Sequence, residues 1–254
     1  MRDRGAMADA ARTSDGAIHL AAEFSAESAH LDRGVIDAVL AAFGDSGKPF
    51  IYTSGIWVMG DTGGEVADES TPVRPIPLVA WRPGHEQLVL RAGGIRGIVI
   101  RPAMVYGGGS GFLADFALAP DAGGVVRYVG QGENRWPFVH VDDLADLYVL
   151  ALGAPAGSLY FASAGPSIPV IDVARAAAAN GRVESIALEK ARQAMGPLAD
   201  AMVLDQIVSA DKAMQELGWS PSRRSVLDEF AQRGADDARR QARKPNSRST
   251  ASPT

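Results

Sequence analysis

Apolar residues at 31, 35, 36, 39, 40 and 43 recur at the spacing of one helix face, and Gly44 stands where such a helix would close. The run that follows, PFIYTSG at 49–55, is short and rich in β-forming residues, the pattern of a strand buried on both faces. GIRGIVIRP at 94–102 predicts a second buried strand. Between them, HEQLVLRA predicts a helix with Pro83 near its first turn and Gly93-Gly94 at its end. Upstream, residues 5–14 suit a short helix, and Asp15-Gly16 turns the chain into a strand, AIHLAA. Downstream, VHVDDLADLYVLALG predicts an apolar helix capped by Asp142 or Asp143 and ended by Gly153, with a strand at SLYFAS beyond it.

Strands alternating with helices of roughly ten residues point to βαβ crossovers and a doubly wound parallel sheet covered on both faces. Residues 1–165 form that domain in this reading. Residues 166–234 carry helical periods in IDVARAAAANG and DKAMQELGW and predict a smaller, mostly helical lobe. From 235 to 254 the chain is polar, basic and nearly free of large apolar groups, which predicts a disordered tail.

Composition narrows the chemistry. With 254 residues, 46% apolar and 22% charged, the chain has the makeup of a globular α/β protein. A net charge of -5 argues against a nucleic-acid partner, basic tail included. The absence of cysteine excludes disulfides, thiolate metal sites and cysteine nucleophiles, and no carboxylate or histidine is spaced to complete a metal site around Asp142 and Asp143. No run approaches the roughly 18 apolar residues of a membrane span, and MRDRGAMADAARTSDG lacks the apolar stretch of a signal peptide, so a cytoplasmic location is expected.

The most glycine-rich run, GIVIRPAMVYGGGSG at 97–111, raises the possibility of a phosphate loop. A dinucleotide fingerprint needs G-x-G-x-x-G between a first strand and first helix, so that pyrophosphate can approach backbone N–H groups. The residue three after Gly109 is Phe112, the residue three after Gly132 is Arg135, and Gly60 to Gly64 has no βαβ context. None qualifies; the run at 107–111 is a loop leaving the sheet, on the side where ligands of such sheets bind.

Five stretches in fixed order then resemble one family: DGAIHLAAE, PFIYTSGIWVMG, IRGIVIRPAMVYGGG, ENRWPFVHVDDLADLYVLAL and MQELGWSP. Together they resemble the NAD-dependent epimerase/dehydratase family, the extended branch of the short-chain dehydrogenases/reductases, over roughly residues 5 to 225. The resemblance implies a Rossmann-like sheet with a C-terminal substrate lobe, NAD or NADP as cofactor, a small-molecule substrate that is often a nucleotide-sugar or a carbonyl or alcohol, and a homodimer. It also implies that AIHLAA is the family's fourth strand, with about 60 to 70 residues carrying the glycine loop expected upstream of it. On that pattern the sheet is N-terminally incomplete, and either a misplaced start or a fragment is expected.

The same resemblance assigns catalytic slots. The family's tyrosine and lysine, four residues apart, fall at Trp81 and His85, and its hydroxyl falls at Gly55, one place after Ser54. Trp cannot exchange a proton near neutral pH. His85 is one acid/base candidate, since the imidazole is the side-chain type suited to the task, beside a structural or surface role; Glu86 is another. Tyr106, just past the third strand, is a second-rank candidate that could equally be a packed aromatic, and Tyr52 reads as core. Ala21, Ala22, Thr53 and Ser54 lie at strand carboxyl ends where a cofactor would pass, and Arg101-Pro102 resembles a motif beside the nicotinamide pocket. Arg135 resembles the position of a substrate-phosphate arginine, or else makes a surface salt bridge; His140 reads as structural. Two functions remain open: an NAD(P)-dependent oxidoreductase or epimerase-like enzyme with an unusual acid/base, and a non-catalytic nucleotide-sensing or partner-binding protein on the same fold.

Overall fold

The computed structural model describes residues 1–23, 25–109, 111–179 and 181–243. The chain opens with helix α1 (Arg4–Thr13), strand β1 (Ala17–His19), helix α2 (Ser28–Phe43) and strand β2 (Pro49–Thr53). A short strand β3 (Val66–Ala67) precedes helix α3 (Arg82–Leu90), which leads into β4 (Arg96–Pro102) and β5 (Met104–Tyr106). Strands β6 (Val125–Val129), β7 (Arg135–Trp136) and β8 (Phe138–His140) follow, then helix α4 (Val141–Ala151) and β9 (Ser158–Ala162). The remainder comprises β10 (Ile168–Pro169), α5 (Val170–Ala178), β11 (Arg182–Ile186), α6 (Leu188–Met195), α7 (Leu198–Met202), β12 (Ile207–Val208), α8 (Asp211–Leu217) and α9 (Val226–Arg243).

The main sheet has the order β1-β2-β4-β9 with every pair parallel, the α/β architecture that the alternation of strands and helices predicts. Successive residues of its central strands face opposite layers. Phe50, Tyr52 and Val99 pack under α1 and α2, whereas Ile51, Ile98 and Ile100 pack under α4. That is why the strands read as continuous apolar runs. Helix α2 buries Leu31, Val35, Ile36, Val39 and Phe43, and its end is closed by the Gly44 N–H donating to the Leu40 carbonyl at 3.0 Å with φ 49°. Gly97 is required for a different reason: a Cβ there would overlap the Val89 carbonyl oxygen, so its absence lets α3 lie directly on β4.

A second core lies under the C-terminal segment, where Leu113, Leu118, Val126 and Trp136 meet Val173, Met202 and Phe230. Here β11 pairs in parallel with β6, β10 antiparallel with β7, and β12 in parallel with β3. The C-terminal helices are therefore stitched to segments that precede residue 165. Two expectations need correction. The cap of α4 is His140, whose Nδ1 accepts from the Asp142 N–H at 3.1 Å, because Asp143 is drawn inward to accept the Ser222 and Arg223 N–H groups at 3.0 and 3.1 Å. Residues 235–243 continue α9 as helix in place of a disordered stretch, since Ala, Arg and Gln are strong helix formers and Asp228 and Glu229 favour its N-terminus. Residues 244–254 of the expected tail lie outside the described residues.

Candidate active site at the carboxyl ends of the sheet

Because the four strands run parallel, His19, Thr53, Pro102 and Ala162 end at one edge, and the chain segments that leave there enclose two adjoining cavities. The smaller, about 400 Å³, is walled by Ala22, Thr53, Ser54, Pro102, Tyr106 and Phe112 among others. The larger, about 540 Å³, lies between the N-terminal end of α2, the segment ahead of α3 and the α6–α7 turn, with Leu78, Trp81, Met195 and Leu198 in its wall. Val79 and Arg82 line both.

The end of β2 supplies the polar groups. The Ser54 N–H is held by the Ile100 carbonyl at 2.8 Å, yet its Oγ is buried with no hydrogen-bond partner among the described residues. A buried hydroxyl without a partner costs free energy that a bound ligand would recover. Thr53 Oγ1 lies 2.6 Å from the Tyr148 hydroxyl, whose pKa burial pushes up to about 12, and the Thr53 carbonyl accepts from Arg82 Nη1 at 3.1 Å. Trp57 and Phe112 close the smaller cavity as an edge-to-face pair with centroids 5.9 Å apart.

Trp81, at the N-cap of α3, and His85, inside the helix, stand one turn apart. Pro83 occupies the first turn of α3, where no intrahelical N–H is needed. The Trp81 indole lies 4.9 Å from the His85 ring and 4.7 Å beneath the Arg82 guanidinium. His85 itself is not in the wall of either cavity; 12% of its side chain is exposed. Its Nδ1 lies 2.8 Å from Asp32 Oδ2, which also accepts from the Tyr52 hydroxyl at 2.8 Å, while Asp32 Oδ1 pairs with His19 Nε2 at 2.9 Å. Burial opposes the charge on Asp32, but hydrogen bonds from His19, His85 and Tyr52 outweigh it and hold the carboxyl well below its usual range. Burial, with Asp32 beside it, pushes Tyr52 above the ordinary phenol range.

The other candidates are placed elsewhere. Glu86 is 1% exposed and grips Arg101 with both oxygens, at 2.9 and 2.5 Å, so neither side chain reaches a cavity. Tyr106 lines the smaller cavity, but its hydroxyl donates to the Arg224 carbonyl at 2.7 Å, and burial with the nearby Asp143 pushes it up to about 12. Arg135 lines neither cavity and is clamped by Asp205 through Nε at 2.8 Å and Nη2 at 2.5 Å. Ala21 is exposed beyond β1. The structure thus brings Ala22, Thr53, Ser54, Pro102 and Tyr106 together, sets Trp81 in the neighbouring wall and His85 behind it. Sequence reasoning missed Asp32, Arg82, Trp57 and Phe112. For Asp32 a signal existed, since it occupies the same helical stripe as Ile36, Val39 and Phe43, where a carboxylate is out of place.

A parallel sheet with cavities at its carboxyl edge is the arrangement in which open α/β folds bind their ligands. A model of the NAD dependent epimerase/dehydratase family matches residues 1–160, and the chain belongs to that family. An uncharacterized protein of Schizosaccharomyces pombe is 31% identical over 226 residues, covering 85% of this chain and 76% of the relative. An uncharacterized protein of Saccharomyces cerevisiae is 30% identical, covering 91% of this chain and 80% of the relative. Among solved structures, the dTDP-glucose 4,6-dehydratase DesIV from Streptomyces venezuelae, with NAD and TYD bound, superimposes with a TM-score of 0.76 at 22% identity, covering 94% of this chain and 79% of that one. RMD from Pseudomonas aeruginosa complexed with NADPH gives a TM-score of 0.66 at 18% identity, covering 86% of this chain and 82% of that one. These structures share the fold. Among the described residues no helix is long and apolar enough to cross a membrane.

Proposed function

We propose that this protein is an NAD(P)-dependent oxidoreductase of the epimerase/dehydratase type, acting on a small molecule held across the carboxyl ends of β2 and β4. The observation that carries the reading is the smaller cavity, where an unpartnered Ser54 hydroxyl stands among apolar walls at the edge where such folds bind ligands. That combination suits the nicotinamide end of a dinucleotide. No loop among the described residues has the glycine spacing that cradles pyrophosphate, so the fit is argued for the nicotinamide end alone. When bound, the nicotinamide would supply the hydride chemistry. Ser54 Oγ would donate a hydrogen bond to the substrate oxygen, and Phe112 and Trp57 would exclude water.

The test is titration of the full chain with NADH and NADPH, followed by hydride transfer across carbonyl and alcohol panels. Saturable binding and turnover are expected, with Ser54→Ala losing about 10²-fold or more in turnover while keeping dinucleotide affinity. Absence of binding to either nucleotide sinks the reading. Trp81 favours a second one: an indole where the family resemblance expects an exchangeable phenol fits a non-catalytic nucleotide sensor, which would bind dinucleotide and transfer no hydride.

A further inference from the structure

We infer that the molecule taken into these cavities is an uncharged, largely apolar carbonyl or alcohol and not a nucleoside-diphosphate sugar. The inference deepens the oxidoreductase reading above and rests on its placement of the site. Three observations carry it.

The first is the chemistry of the walls. Trp57 and Phe112 meet edge to face over the smaller cavity, with Ile56 and Met104 beside them, and Leu78 and Met195 continue the apolar lining into the larger one. Such surface rewards the removal of methylenes and rings from water. It offers nothing to phosphate oxygens.

The second is the shortage of positive charge. Arg82 is the one cation among the described wall residues of both cavities, and it is engaged, stacked on Trp81 with Nη1 donating to the Thr53 carbonyl. Glu23 shares the larger cavity with it. A diphosphate brought out of water needs cations or converging backbone N–H groups to replace its hydration.

The third is the state of Arg135. The family resemblance would use this position for a phosphate, but here Asp205 takes its Nε and Nη2, and Asp205 also fixes the Arg135 main-chain N–H at 2.7 Å. Asp61 stands close, its Oδ2 accepting from the Asp205 N–H at 3.3 Å. One guanidinium, paired with Asp205 and near Asp61, already faces two carboxylates, so the corner disfavours a further anion.

The experiment is calorimetry on the full chain with two ligand sets: straight-chain aldehydes, methyl ketones and alcohols of increasing length, and UDP-glucose, dTDP-glucose and UDP. Each ligand is run with and without NADH. Expected is binding of the carbonyl or alcohol series that tightens roughly fourfold per added methylene, weakened in Phe112→Ala and Trp57→Ala, with no saturable binding of the nucleotide set. Binding of UDP-glucose or dTDP-glucose that competes with the carbonyls and weakens as salt rises overturns the inference, as does failure of the whole carbonyl and alcohol series. If the series binds and neither NADH nor NADPH does, the oxidoreductase reading falls and the ligand class stands. If NADH binds and the series does not, the reverse holds.

Discussion

Replacing Asp32 with alanine tests whether this carboxylate is the hub that the geometry makes it. Its two oxygens take three donors, from His19, Tyr52 and His85, that reach it from β1, β2 and α3. His19 and Tyr52 are 6% and 0% exposed, so neither donor gains water when the acceptor goes. Each then carries an unmet desolvation cost of about 1–3 kcal/mol. His85 is partly exposed and is rehydrated at little cost. Relief from burying a charge offsets part of the sum, and the expected net loss is about 3–5 kcal/mol, the range for breaking a buried charged network. Asp32→Asn keeps the shape and one acceptor; only a donor facing Tyr52 and His85 is wrong, and about 1–2 kcal/mol is expected. Urea unfolding at neutral pH, followed by tryptophan fluorescence with a common slope, reads both.

The same group predicts an acid limb. The folded carboxyl titrates well below the unfolded value of about 3.9. In the window between those two values the unfolded chain binds a proton that the folded chain does not, so stability falls as pH falls, by up to about 1.4 kcal/mol per unit from this residue. Above the window its contribution is fully present. Asp32→Ala should lack this part of the slope. Both variants unfolding within about 0.5 kcal/mol of the parent, or an unchanged acid limb in the alanine variant, would refute the hub.

Glu86→Ala strands the buried Arg101 guanidinium, which has Met59 Sδ and the Phe161 ring as its other neighbours, and should cost about 3–5 kcal/mol in the same unfolding assay; Glu86→Leu with Arg101→Met should recover most of it. Gly97→Ala forces α3 off β4 at the Val89 carbonyl and should destabilise by more than the roughly 1 kcal/mol that a Gly-to-Ala change ordinarily gains at an unstrained position; a stabilised variant removes the close-approach argument. Tyr106→Phe should lose about 0.5–1.5 kcal/mol from its bond to Arg224, with hydride transfer unaltered, since a phenol held near 12 and committed to a carbonyl does not exchange protons at neutral pH. A hundredfold drop in turnover would restore it as the acid.

What could be read from sequence divides along the range of the interaction. The apolar runs at 49–53 and 96–102, the stripe of α2 and the Gly44 stop all state local facts about burial, and the sheet follows from them. The two-residue strands β3, β7, β10 and β12 state nothing locally; each exists because a partner far along the chain presents its edge. Residues 235–243 look unfoldable by apolar content, yet their helix propensity extends a helix already begun at Val226.

The site divides in the same way. That Trp81 and His85 stand one turn apart is a matter of spacing, but whether His85 is a solvated surface group or an oriented one depends on Asp32, 53 residues earlier. Arg135 offered the same choice between phosphate ligand and ion pair, and the carboxylate it pairs with is that of Asp205, 70 residues later. Both outcomes turn on where a carboxylate goes. One sits out of place in an apolar stripe, which marks it for a buried donor. The other lies just ahead of β12, and only the parallel pairing of β12 with β3 brings its neighbourhood beside Asp61 and Arg135. An acidic residue inside an apolar helical face is therefore the more informative signal in such a sequence, because its charge has to be answered by donors that the fold then gathers around it.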